Sequence, residues 1–140
     1  MNDRFFLDTN VFVYCFDTGA PTKARRAREL VRQAVATGKG IISFQVVQEF
    51  FNVALRRFAQ PMNVAEAEQY LATVFRPLLA IHSSQSLHMQ ALQLASKFHL
   101  SWYDSLIVAA ATEGHCTVLY PEDLQHGRQF GEMQVQNPFL

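Results

Sequence analysis

The stretch "RFFLDTNVFVY", residues 4–14, decides how the fold begins. Its apolar residues predict a short buried strand over residues 4–7 that ends at Asp8. In chains that alternate strands and helices, side chains directly after a strand lie at the sheet edge where binding crevices form. The stretch therefore predicts a carboxylate at the rim of a crevice. A helix N-cap at Asp8 is the other interpretation.

Predicted strands and helices alternate along the rest of the chain. Pro21 and Gly38 are typical of the start and end of a helix. Pro61 predicts the end of a helix that begins near Gln45 and reaches Phe58. Further helices are predicted over 63–75, 84–98 and 101–114. Further strands are predicted over 40–44 and 117–120, as a short strand within 76–82, and over 133–136 as an edge strand. This order predicts an α/β sandwich with a mostly parallel sheet.

Length and composition narrow the class of protein. A chain of 140 residues with 49% hydrophobic residues is expected to form one globular domain over residues 1–140. No apolar run approaches the roughly 20 residues that span a bilayer, and no secretory signal begins the chain, so a cytoplasmic location without a membrane partner is expected. Cys15 and Cys116 are expected to be reduced core residues. The formal net charge of zero does not by itself indicate nucleic acid.

Two helix acids are candidates for a site, each with an ordinary alternative. Asp104 projects from a predicted helix that is apolar almost all round, so its carboxylate is predicted to lie on a buried face. Ser101, three residues earlier, also matches a capping box in which Asp104 is a first-turn residue. Glu49 falls at the edge of the polar arc of its helix, where a glutamate is usually solvated.

A fourth candidate acid follows the predicted strand over 117–120. Asp123 is at the carboxyl end of that strand, although a lone acid there is more often a turn residue. Glu122 precedes it directly and is the alternative to it. Because three of the four acids follow a strand or begin a helix, a parallel sheet is expected to gather them.

Gathered carboxylates repel one another unless a cation neutralises them. The chain has no HExxH motif and no Cys/His pair at ligand spacing, which favours Mg²⁺ or Mn²⁺ over Zn²⁺. A carboxylate-held metal activates water and holds a phosphodiester in line. The predicted reaction is phosphodiester hydrolysis.

Three stretches carry a family resemblance: "FLDTNVFVY", "ISFQVVQEFFNV" and "SWYDSLIVAAATEGHCTVLYPEDLQHG". From about Phe5 to the C-terminus the chain resembles PIN-domain proteins and is similar to the VapC-type toxins of toxin–antitoxin pairs. The resemblance implies a three-layer α/β/α sandwich and a Mg²⁺- or Mn²⁺-dependent ribonuclease. It also implies a homodimer that a small antitoxin neutralises near the site. The residues that it assigns to the metal are Asp8, Glu49, Asp104 and Asp123, with Glu122 as the alternative fourth acid and Asn10 as support.

Basic residues are the candidate contacts for RNA. The run "KARRAREL" over residues 23–30 contains Arg25 and Arg26, and Arg56 is predicted on the same helix side as Glu49. A solvated face or a dimer rim is the alternative for the basic run. Trp102 and Tyr103 precede Asp104, and core packing is favoured for them over base stacking.

Two rival functions stay open. One is a PIN-like module that binds RNA or protein without cleaving. The other is a haloacid-dehalogenase-like phosphatase, whose strand is followed by a DxD motif. Asn10 stands at the second aspartate of that motif here, and the lysines Lys23, Lys39 and Lys97 follow no clear strand end.

Overall fold

Strands and helices alternate in the structure as the hydrophobic pattern predicts. The structure is a computed structural model that describes residues 3–121 and 123–140. Strands β1 to β6 span Phe5–Leu7, Gly40–Ser43, Leu79–Ile81, Val118–Tyr120, Gln129–Phe130 and Met133–Val135. Helices α1 to α7 span Thr9–Tyr14, Pro21–Thr37, Phe44–Ala54, Val64–Tyr70, Arg76–Leu78, Gln85–Phe98 and Trp102–Glu113. A π-helical turn over Leu71–Phe75 joins α4 to α5.

The strands form one mixed sheet in the order β3-β2-β1-β4-β6-β5. All neighbouring pairs are parallel except β5 and β6, which are antiparallel. Right-handed crossovers therefore place α1 to α5 on one face and α6 and α7 on the other. The predicted three-layer α/β/α sandwich with a mostly parallel sheet is confirmed.

Neighbouring residues of β2 face the two helical layers. Gly40 lies against α2, where an added Cβ would collide with the Cβ of Ala34. The next residue, Ile41, contacts the other layer, because a Cβ added to Gly114 at the end of α7 would collide with Ile41 Cδ1. The alternation of a strand thus explains both the small residue and the large one.

The connections from the sheet diverge between β1 and β4. From β1 the chain crosses to β2, whereas from β4 it continues to the opposite side, toward β5 and β6. In open α/β sheets, a crevice forms at the carboxyl ends of the strands where the strand order reverses in this way. The backbone N–H of Asp8 donates to Tyr120 O at 3.0 Å, which joins the ends of β1 and β4. The fold therefore brings the residue after β1 to the place where a crevice is expected.

Two predicted elements differ from the structure. The helix that carries Glu49 ends at Ala54, not at Phe58, because the chain turns back and Met62 N donates to Ala54 O. Arg56 therefore lies beyond the end of this helix. The strand predicted over 133–136 is not at the edge: β6 lies between β4 and the two-residue strand β5.

Large aromatic side chains form a cluster in the core, between α3 and the segments that pack against it. The Phe50 ring is fully buried and lies 5.1 Å from Tyr70 in a stacked arrangement and 5.1 Å from Phe75 edge to face. It also lies within 6.0 Å of Phe16, Phe51 and Phe58. Such pairs add to the free energy of burial. The cluster fixes α3, and with it Glu49, against the sheet.

The two cysteines are free thiols, and burial raises the pKa of both Cys15 and Cys116 to about 12. Burial also raises the pKa of Tyr70. Since the folded pKa values exceed those of the unfolded chain, the folded state keeps these protons as the unfolded state loses them. We expect the free energy of unfolding to be unaffected by these groups below pH 9 and to fall as the pH rises toward 12. Urea unfolding at pH 8 and pH 10.5 measures this, and an unchanged midpoint would contradict it.

In the described part of the chain, no helix is long and apolar enough to cross a membrane. The expectation of one domain over residues 1–140 stays a prediction.

Candidate metal centre

Asp8 connects the end of β1 to the start of α1. Its side chain is 4% exposed, and its Oδ1 accepts a hydrogen bond of 2.7 Å from Thr9 N. The N-cap interpretation is therefore confirmed. The same position holds the carboxylate at the carboxyl end of β1, so capping and a place in the crevice are compatible.

Thr9 links Asp8 to Glu49. Its backbone N–H donates to Asp8, and its hydroxyl Oγ1 donates to Glu49 Oε1 at 3.0 Å. The threonine is buried because α1 packs against α3. Thr9 was not among the predicted site residues, because its bond to Glu49 depends on the packing of α1 against α3.

Gln45 links Glu49 to the first turn of α7. Its Nε2 lies 3.5 Å from Glu49 Oε1 and 3.4 Å from Tyr103 O, both long hydrogen bonds. Because a carboxylate and a carbonyl only accept, the amide nitrogen must face them. Gln45 is 5% exposed and is a second residue that sequence analysis missed. It ties the helix of Glu49 to the helix of Asp104.

The two oxygens of Glu49 have different surroundings. Oε1 accepts from both Thr9 and Gln45, whereas no described residue donates to Oε2. The carboxylate is partly buried and is held in one orientation by these two donors. It is thus not a freely solvated helix residue, and Oε2 is available to a ligand.

Asp104 lies in the first turn of α7. Its backbone N–H donates to Ser101 Oγ at 3.2 Å, which confirms the serine as the N-cap. Its side chain is partly buried, not fully as predicted. Trp102 and Tyr103 are 37% and 65% exposed, so the favoured core packing is wrong for both, and Trp102 instead stacks on His88. Residues 102–104 of this first turn are exposed or partly buried, and the first fully buried residue of α7 is Ser105.

Asp123 is exposed in the segment that follows β4. Its alternative, Glu122, lies outside the described residues.

Of the basic candidates, Arg25 and Arg56 are exposed, and Arg26 Nε donates to Pro138 O at 3.2 Å. In residues 3–121 and 123–140 the one ion pair joins Lys39 and Asp3, so no carboxylate there neutralises these arginines.

Two buried oxygens near the carboxyl ends of β1 and β2 have no hydrogen-bond partner among the described residues. They are Oδ1 of Asn10, in the first turn of α1, and Oγ of Ser43, the last residue of β2. Buried polar atoms are nearly always satisfied. These two oxygens are therefore available to a bound cation or a water molecule.

The fit to a divalent cation depends on which cation is considered. Across the described ranges, no three Asp, Glu, His or Cys side chains are grouped closely enough to hold a metal by themselves. Mg²⁺ needs fewer protein ligands, because it is commonly bound by one or two carboxylates and keeps several waters. Asp8 and Glu49, joined through Thr9, offer such a pair of hard oxygen ligands next to the Asn10 amide. The residues fit Mg²⁺ or Mn²⁺, while the cluster of four acids stays a prediction.

The contacts of Gln45 lead to a direct prediction. In Gln45→Met, which keeps the size and removes both donors, we expect the affinity for Mn²⁺ to fall about tenfold, because donors that hold a metal-binding carboxylate in place raise the affinity for the metal. Gln48→Met, an exposed neighbour on α3, is the control. Titration of the metal-free protein with Mn²⁺, followed by electron paramagnetic resonance, measures the change. Equal affinities of the wild type and Gln45→Met would show that the amide does not position Glu49.

Comparisons with known proteins agree with the fold. The sequence matches the family model of the PIN domain over residues 5–128. A comparison with curated proteins gives no significant match.

Solved structures of low sequence identity share the architecture. The Mycobacterium tuberculosis toxin VapC20, described as cleaving the sarcin-ricin loop, is 21% identical with a TM-score of 0.60, over 85% of this chain and 89% of that one. A toxin–antitoxin complex from Klebsiella pneumoniae is 19% identical with a TM-score of 0.65, over 95% and 96%. VapBC2 from Rickettsia felis, bound to promoter DNA, is 15% identical with a TM-score of 0.61, over 94% and 96%. At these identities the likeness shows the fold, and the match over residues 5–128 shows that the chain belongs to the PIN domain family.

Proposed function

We propose that the protein is a Mg²⁺- or Mn²⁺-dependent endoribonuclease that hydrolyses RNA phosphodiester bonds in the cytoplasm. The observation that carries the proposal is the hydrogen-bonded path from Asp8 through Thr9 to Glu49, and through Gln45 to the first turn of α7. This path joins the elements of three candidate acids at the edge of the sheet where a crevice is expected.

Each candidate residue has a role in this proposal. Asp8, Glu49, Asp104 and Asp123 bind the metal, with Glu122 as the alternative to Asp123, and Asn10 supports them. A bound divalent cation would supply a water-derived nucleophile and offset the charge of the scissile phosphate. Thr9 and Gln45 hold Glu49 so that Oε2 faces the ligand. The exposed Arg25 and Arg56 and the partly buried Arg26 bind flanking phosphates, which offsets the repulsion between RNA and the acids.

The proposal is tested by RNA cleavage with purified protein. We expect fragments from a labelled single-stranded RNA in Mn²⁺, none in excess EDTA, and none from Asp104→Asn, whose cap at Ser101 is unchanged. Equal cleavage in all three samples would identify a contaminant and reject the proposal. RNA binding without cleavage in any metal would favour the silent PIN-like module. Hydrolysis of small phosphomonoesters without RNA cleavage would favour the phosphatase.

The proposal extends to an antitoxin partner. One of the comparison structures is a toxin–antitoxin complex. An apolar groove of about 530 Å³ runs between α2 and the helical segment after α4, with Phe16, Val35 and Val74 in its wall and Arg28 and Arg32 beside them. An amphipathic acidic segment of a small antitoxin fits this combination. Val35→Glu is expected to abolish co-purification with a co-expressed antitoxin while RNA cleavage remains, and retained co-purification would exclude the groove.

A homodimer is also proposed. Met89 and Leu92 lie one turn apart on α6 and are 55% and 59% exposed, an apolar pair that a second copy would cover. Leu92→Glu is expected to convert a dimer to a monomer, as measured by light scattering. A wild-type protein that is monomeric at micromolar concentration would contradict the proposal.

A further inference from the structure

A cavity adjoins the metal site proposed above and shares Thr9, Asn10 and Glu49 with it. It lies between α1 and α3 and has a volume of about 360 Å³. Asn10 and Tyr14 of α1 line one side, and Glu49, Asn52 and Val53 of α3 line the other. The volume is at the lower end of the range of small-molecule sites, about 300 to 1,000 Å³. It suits one nucleotide better than a folded segment of a partner.

The wall of the cavity has the chemistry that recognises a nucleobase. Val53 and Tyr14 contribute apolar and aromatic surface to the lining of the cavity. Asn52 is exposed, and no described residue forms a hydrogen bond with its amide, so a donor and an acceptor are both available. Proteins that read unpaired RNA combine such stacking surface with hydrogen bonds to the base edge.

A positive charge lies next to the cavity. Lys23 Nζ is 5.1 Å from the centre of the Tyr14 ring. Lys23 takes no part in the ion pair between Lys39 and Asp3, the one that the described residues form. A cation at this place attracts the phosphate of an entering nucleotide. Lys23 thus offsets the repulsion between that phosphate and the carboxylate of Glu49, which lines the cavity.

We infer that this cavity binds the base of one unpaired nucleotide next to the scissile phosphate, and that Asn52 selects the base. The inference rests on the proposed function, because Glu49 is shared between the metal site and the cavity. A base held beside Glu49 places its own phosphate close to the acids. Asn52 is thus a residue that determines where RNA is cut.

The test compares short single-stranded RNAs that differ in one base beside the cleaved bond. We expect wild-type protein in Mn²⁺ to prefer one base by about tenfold in cleavage rate, as a two-point contact to a base edge allows. Asn52→Ala is expected to reduce the preference below about threefold, and Asn52→Asp, which only accepts, to change the preferred base. Gln48→Ala, an exposed neighbour outside the cavity, is expected to keep the wild-type preference.

The outcomes separate this inference from the proposed function. RNA cleavage by wild type without base preference, or with the same preference in Asn52→Ala, overturns the subsite and leaves the nuclease proposal intact. A wild-type protein that cleaves no RNA in Mn²⁺ overturns both. Loss of preference in Gln48→Ala as strong as in Asn52→Ala would point to a general change in α3 and overturn the role of Asn52.

Discussion

Asp8→Asn is expected to lower the rate of RNA cleavage by about a thousandfold or more, equivalent to about 4 kcal/mol in the activation free energy. The substitution removes the negative charge at the carboxyl end of β1 and keeps the shape of the side chain. In Asp8→Asn, a cation held by Asp8 and Glu49 loses one of its two carboxylate ligands. The measurement is the single-turnover cleavage rate of a labelled RNA in Mn²⁺, together with the affinity for Mn²⁺.

The same variant separates chemistry from folding. Asparagine is as good an N-cap as aspartate, so the hydrogen bond from Thr9 N to the side chain is expected to persist and the melting temperature to change little. Asp17→Asn is a matched control, because Asp17 also accepts from a nearby backbone N–H, that of Gly19, and does not line the cavity beside Glu49. Cleavage by Asp8→Asn at the wild-type rate would remove Asp8 from the site.

Phe50→Ala is expected to reduce the free energy of unfolding by about 3 to 5 kcal/mol, the usual cost of deleting a buried aromatic ring. The Phe50 ring is fully buried among five other aromatic rings, so the structure cannot collapse easily around the cavity that is left. Urea unfolding followed by circular dichroism measures the loss.

A control for this variant lies near the end of the same helix. Leu55 is 44% exposed, and Leu55→Ala is expected to cost less than about 1 kcal/mol. A loss below about 1 kcal/mol in Phe50→Ala would mean that the aromatic cluster does not stabilise α3. Because Glu49 adjoins Phe50, the larger loss is expected to weaken Mn²⁺ binding as well.

Local patterns predicted most of the fold. Apolar runs predicted the order of strands and helices and the parallel sheet, together with residues that start or end a helix, such as Pro21 and Gly38. Two features depended on distant contacts. The helix of Glu49 ends early because Met62 bonds to Ala54, and β5 exists because it pairs with β6 over two residues, too few for a periodic pattern.

Local sequence likewise predicted some residues of the candidate site and missed others. Asp8 was found because it follows an apolar strand, and Asp104 because it opens an apolar helix. Thr9 and Gln45 were missed, since nothing in their immediate neighbours indicates that α1 meets α3 or that α3 meets the first turn of α7. The exposure of Trp102 and Tyr103 was also unexpected, because an aromatic pair beside an apolar helix usually packs in the core.

By itself, the sequence determined that Asp8 comes at the end of a buried strand in an alternating α/β chain, because strand and helix periods are local properties. Tertiary structure alone decided what Asp8 is connected to: Tyr120 across the sheet, and Glu49 through the Thr9 hydroxyl. Those contacts join residues 40 or more positions apart. They arise from the order in which the strands pair, which no local period encodes.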